Sequence, residues 1–212
     1  TISDHMSRPA LFLLALLPFA LCRIEPATKI TFPDKRGGQN LVGVGVRKKG
    51  PIKVYGVGMY VDALASKLSL SKFKTCSADS VDAGFYKACV EGGFGKTLVV
   101  KMKFGVSKEK MASALAESIK PRMSSDKDAL SNFQDSLIDG CQKFAADGRA
   151  APGTEFCFAI RGSNMGVSVN GKSVTTISSQ QLCHALLNVY LDGSSVAPAL
   201  KATCAEGLLA SL

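Results

Sequence analysis

One stretch, residues 41–62 (LVGVGVRKKGPIKVYGVGMYVD), limits what this chain can fold into more than any other. Two β-rich runs flank Lys48-Lys49-Gly50-Pro51, which predicts a β-hairpin closed by that turn. Side chains alternate across a strand, so Val42, Val44 and Val46 share one face of the first run, and Gly43, Gly45 and Arg47 share the other. The glycines remove bulk from the face that carries the hairpin's only arginine. Glycine inside a strand marks close approach by a ligand or by another backbone. A planar guanidinium beyond an empty strip is what a carboxylate or phenolate pocket needs, because it pairs bidentately with such anions. The plainer alternative is a solvated strand-end arginine beside a turn.

The rest of the chain supplies partners for that hairpin. A short strand is predicted over 29–32, stopped by Pro33, and a short helix with a loop over 63–76. Helical spacing of Val81, Phe85, Ala88 and Cys89 predicts a helix over 79–90. The following Gly92-Gly93-Phe94-Gly95 lacks the spacing of a phosphate-binding loop. A strand over 96–104 puts Leu98, Val100, Met102 and Phe104 on one buried face. Ser107 is placed to cap a helix carrying Met111, Ala114, Leu115, Ser118 and Ile119, which Pro121 ends. A second amphipathic helix over 126–146 turns Leu130, Phe133, Leu137, Cys141 and Phe144 inward. Strands over 154–161, 165–169 and 172–176 follow, the last two joined by Asn170-Gly171. Ser178 or Ser179 caps a helix through Leu191, and Pro198 opens a final one. Strands, helices, strands, helices in that order predict an α+β fold, a large antiparallel sheet packed against a layer of helices.

Residues 1–23 are set apart. Thr1–His5 read as a cloning remnant before Met6, and Arg8 precedes an apolar run over 10–21 that has the length of a secretory signal. That leader predicts the secretory pathway, or a plastid if it is the first half of a two-part address. Residues 24–212 are enough for one domain with a substantial core, expected as a monomer. A net charge of +9 is spread through the chain rather than concentrated on one helix, and tryptophan is absent, so nucleic acid is not an expected partner. An anionic small ligand or an anionic membrane surface suits that charge. The cysteines, at 22, 76, 89, 141, 157, 183 and 204, contain no CxxC, so no zinc site or other cofactor is expected. They are far apart and several fall on apolar helix faces, which predicts buried thiols with at most one disulfide.

The motifs ITFP, GVGVRKKGPIKVYGVGMYV, EGGFGKTLVVKM, VSKEKM and LDGSSVAPALKATCAEGLL resemble, in order and spacing, the chalcone isomerase fold family. The resemblance covers roughly residues 28–210. It implies a ligand cleft between sheet and helices, and a choice between true isomerases and non-catalytic fatty-acid-binding members. The family's arginine matches Arg47, and the threonine on the next strand falls on Tyr55. The catalytic tyrosine falls on Ser107 and the helix asparagine on Ala114, so both groups are lost. A late serine or threonine falls near Ser178.

Arginine with a neighbouring tyrosine looks like the fatty-acid-binding branch. The expectation is a non-catalytic carrier of a long-chain fatty acid or similar amphipathic carboxylate, held by Arg47, Tyr55, Tyr60 and Ser178, with its tail along the Gly43/Gly45 strip. The alternative is a chalcone-flavanone isomerase acting through Arg47 with a reduced catalytic set. Alternation alone does not choose the tyrosine. With a four-residue turn Arg47 faces Ile52 and shares a face with Tyr60, whereas a one-residue register change brings it to Tyr55, which the family alignment favours.

Overall fold

The structure, a computed structural model, describes residues 21–212. The apolar run assigned to a leader lies outside the described residues except at Leu21. Cys22 and Arg23, set aside with it, belong to a strand: β1 (Cys22–Ile24) pairs antiparallel with β2 (Thr31–Pro33). A short β3 (Lys35–Arg36) pairs with β4 (Gln39–Lys49), which turns through Gly50 and Pro51 into β5 (Ile52–Val61). Helices α1 (Ala63–Ser69) and α2 (Ala83–Glu91) lead to β6 (Lys96–Met102). Helices α3 (Lys108–Ile119) and α4 (Lys127–Phe144) lead to β7 (Glu155–Arg161). The chain closes with β8 (Asn164–Val169), β9 (Lys172–Ser178), α5 (Gln180–Leu191) and α6 (Pro198–Leu209). Strands β3 to β9 lie side by side in chain order, every neighbouring pair antiparallel. The α+β architecture read from the sequence is the one that forms.

Capping residues set most helix starts. Asp62, Asp82, Ser107, Asp126 and Ser179 each accept a hydrogen bond from an amide in the first turn of α1 to α5 respectively. Several boundaries differ from expectation: the strand expected over 29–32 forms at Thr31–Pro33, and the one expected over 172–176 runs on to Ser178. The helix predicted from 79 begins at Ala83, because Asp82 holds the Phe85 amide and a 3-10 turn occupies Ala78–Ser80. Strand β6 stops at Met102, so Phe104 leaves the buried stripe and stands 49% exposed.

The two faces of the sheet are unequal. Tyr55, Val57, Met59, Leu98, Val100, Phe156 and Phe158 face the helices and build the main core with residues such as Leu115, Phe133 and Leu186. A smaller rear cluster joins Phe32, Leu41, Val44, Tyr60, Val99 and Cys157. Cys157 thus points opposite to Phe156 and Phe158, as alternation predicts. Val42 departs from the pattern: a register irregularity between Leu41 and Gly43 turns it into the main core, away from Val44.

The glycine strip also has a different use from the one expected. A Cβ on Gly43 would sit 2.5 Å from Cys204 Sγ, and one on Gly45 would sit 2.7 Å from the Leu200 Cα. Helix α6 fills the space reserved for a ligand tail, its backbone resting directly on β4. Beyond β3 no other strand among the described residues pairs with the outer edge of β4, and α6 covers it. The Thr203 hydroxyl accepts from the Val44 amide (3.1 Å) and reaches the Val44 carbonyl (2.8 Å). Gly56 and Gly58 play the same part behind the sheet, where they admit Ile30 and Phe32.

Five cysteines (89, 141, 157, 183 and 204) are buried, Cys76 is half-buried, and none of these six is in a disulfide. Among the described residues no helix is long and apolar enough to cross a membrane.

Candidate functional site

Arg47 meets Tyr55. The hairpin closes on two residues, Gly50 and Pro51, with Gly50 in the left-handed region (φ 58°). Lys49 pairs with Ile52 and Lys48 with Lys53, and then Arg47 pairs with Tyr55, leaving Val54 as the extra residue of a bulge. That bulge supplies the one-residue shift that plain alternation lacks. It puts the guanidinium and the phenol on one face, with Arg47 Nη1 3.5 Å from the Tyr55 oxygen and Cζ 5.8 Å from the ring centre. The contact is long for a hydrogen bond and adds a cation–π component.

The Tyr55 oxygen also lies 2.9 Å from the Tyr190 hydroxyl, which α5 delivers from across the core. Tyr190 is fully buried, and burial followed by the Tyr55 phenol pushes its hydroxyl well above the ordinary tyrosine value. It stays protonated. If Tyr190 donates its proton to Tyr55, the Tyr55 proton is free to point outward. Burial works against the charge of Arg47, but the Tyr55 phenol, Tyr190 and Glu117 more than offset it and raise its pKa. The guanidinium is a permanent cation, half-buried at the inner end of a cleft.

That cleft has a volume of about 370 Å³ and lies between the tip of the β4–β5 hairpin, the segment after β6, and α3. Apart from Arg47 and Tyr55, its walls are largely apolar: Ile52, Val54, Phe104, Val106, Met111 and Ala114. Lys49, Lys110 and Glu117 stand at its rim. The volume falls within the roughly 300–1,000 Å³ typical of small-ligand sites. A half-buried cation with an adjacent hydroxyl donor, in an apolar channel, suits an anionic head carrying an apolar body. Among the described residues no cluster of His, Cys, Asp or Glu is arranged for a metal.

The structure gathers only part of the expected set. Tyr60 faces the rear cluster, where its hydroxyl finds no hydrogen-bond partner among the described residues; burial raises its pKa far above the usual value. It is on the opposite face of the sheet from Arg47, because the bulge aligns Tyr55 instead. Ser178 is on β9, four strands away from β5, exposed and hydrogen-bonded to Asn164 (2.6 Å). Its neighbour Ser179 provides the cap of α5. Ser107 is exposed and caps α3, while Ala114 presents only its methyl to the cleft. Tyr190 and Glu117 were not singled out from sequence. Tyr190 had a usable signal, since a tyrosine on an otherwise apolar helix face needs a partner for its hydroxyl.

Four similarities to known proteins bear on this site. The family model for chalcone-flavanone isomerase matches residues 25–211. A chalcone isomerase-like protein 1 from Humulus lupulus is 30% identical over 182 residues, covering 79% of this chain and 81% of its own length. A fatty-acid-binding protein 1 from Arabidopsis thaliana is 27% identical over 180 residues; the match covers 79% of this chain but 63% of that longer protein. The crystal structure of an Arabidopsis thaliana fatty-acid binding protein, AtFAP1, superposes with a TM-score of 0.77 at 21% identity, over 90% of this chain and 98% of that one. That likeness shows the fold: the same curled antiparallel sheet under helices. With the family match running almost from β1 to the end of α6, this chain belongs to the chalcone isomerase family.

Proposed function

We propose that the chain is a non-catalytic binding protein for an amphipathic carboxylate of the long-chain fatty acid type. The observation that carries this reading is the Arg47–Tyr55–Tyr190 chain of polar groups at the inner end of an otherwise apolar cleft. Arg47 pairs with the carboxylate, and Tyr55 donates a second hydrogen bond while Tyr190 holds its ring in place. The apolar body lies against Val54, Val106, Met111 and Ala114. The relatives described as fatty-acid-binding support this assignment. Ser107 is committed to a helix cap and Ala114 is a methyl, so the α3 side of the cleft offers no hydroxyl or amide group to position a polar flavonoid.

Native mass spectrometry of the purified protein, followed by titration with a long-chain fatty acid, tests the reading. A carboxylate anchored on a half-buried cation should lose at least ~30-fold in affinity on Arg47→Ala. Tyr55→Phe should cost about 10-fold. An empty cleft with no uptake on titration, or uptake indifferent to Arg47→Ala, would sink the proposal.

A further inference from the structure

The mouth of the cleft carries an unusual combination. Ile52 (43% exposed) and Phe104 (49% exposed) are among the few large apolar side chains that stand in solvent, and both line the same cleft. They come from different elements, the start of β5 and the segment after β6, so no single apolar stripe accounts for them. Lys49 and Lys110 line the rim itself. Three further exposed lysines flank it: Lys48 on the outer-edge side of β4, Lys53, which donates to the Ala27 carbonyl (2.7 Å), and Lys103, next to Phe104. The rim's carboxylates are Glu117 and, on the first turn of α3, Glu109. Two apolar tips with lysines at the rim and on the flanks of the hairpin tip match the headgroup zone of a bilayer containing anionic lipid: lysines pair with phosphates while the tips enter the acyl boundary.

We infer that this mouth docks on anionic membrane surfaces, placing the cleft where its ligand enters and leaves without crossing water. The inference rests on the carboxylate-lipid reading of the cleft and deepens it by naming the donor and acceptor. A protein partner with an acidic groove would use the lysines but has no need for two apolar tips at the doorway of a lipid-binding cleft. A bilayer uses both. The docked face is continuous with the cleft, so an acyl chain sliding past Phe104 and Ile52 stays in contact with apolar surface throughout.

The chain contains no tryptophan, so Phe104→Trp introduces a single reporter at the mouth. Its emission should shift to the blue with vesicles of phosphatidylcholine containing about one-third phosphatidylglycerol, and stay unshifted with phosphatidylcholine alone or in high salt. Leu64→Trp, on exposed α1 at the other end of β5, should not respond. Flotation of the unsubstituted protein with the same vesicles provides a readout free of substitution. Lys48→Glu with Lys103→Glu, which lie outside the cleft lining, should lower vesicle partition at least tenfold and leave fatty-acid affinity in solution unchanged. Equal partition to neutral vesicles, absence of flotation with anionic ones, a response at position 64 in place of 104, or indifference to the double charge reversal would each overturn the docking. Solution titration judges the cleft itself, so a failed docking leaves that reading standing, and a failed titration does not depend on vesicles.

Discussion

At the scale of single residues, the site is a cation placed where charge is costly. Arg47 is half-buried, and among the described residues no carboxylate forms an ion pair with it; its company is two phenol oxygens and, farther out, Glu117. Glu117 therefore competes with any incoming carboxylate for the same guanidinium and repels it. Removing that charge while keeping the shape, Glu117→Gln, should tighten fatty-acid binding by about 3- to 5-fold at low salt, less as salt screens the pair; isothermal titration at two ionic strengths checks both. Arg47 itself was legible in the sequence because it is the hairpin's only arginine and follows two glycines on its face. Its partner was less so. The bulge at Val54 leaves no mark in the alternation of hydrophobic and polar residues, so strict periodicity put Arg47 on the face of Tyr60, and the four-residue turn assumed there set it opposite Ile52. Tyr190 joins the site from 135 residues away, and no local pattern can announce that.

At the scale of elements, the glycines of β4 are spacers for a helix. The sequence rule that glycine in a strand admits a close neighbour applied; the neighbour is α6, whose own Gly207 passes the Val42 carbonyl at close range. Adding a methyl at Gly45 drives it into the α6 backbone, which cannot yield as a flexible side chain can. Gly45→Ala should destabilise the fold by about 3 kcal/mol, seen as a lower urea midpoint with an unchanged slope. Gly50→Ala at the open turn meets no neighbour and should cost only the strain of its left-handed backbone. The helices themselves were largely readable, since amphipathic spacing and the caps at Ser107 and Asp126 are local signals. Where expectation slipped, at the start of α2 and the end of β6, a cap or a strand end overrode a continuing apolar pattern.

At the scale of the whole molecule, the buried thiols tie stability to alkaline pH. Burial pushes Cys89 up to about 12, and Cys141 and Cys183 up to about 11, from an ordinary value of 9.0. A group held neutral by folding contributes stability that is complete below its unfolded pKa and is lost as pH rises through the folded one. Lys96 works in the opposite sense. Burial lowers it to about 8 from 10.5, so its contribution grows between those values. Three thiols outnumber one lysine, and the urea midpoint should fall between pH 9 and about 11, with Cys183→Ala flattening the decline. A midpoint that rises across that range would show that the lysine dominates.

The placement of α6 also has a consequence in time. The sheet is laid down in chain order, so β4 and β5 leave the ribosome early and can pair at once. The helix that shields the outer edge of β4 is translated much later, and Thr203, which reaches the Val44 backbone, emerges 159 residues after it. Until α6 emerges the nascent chain therefore offers a bare, valine-rich strand to whatever polypeptide is nearby. Premature stop products lacking α6 would keep that strand open permanently, and quality-control proteases and chaperones that read exposed β edges would meet this chain by its first long strand.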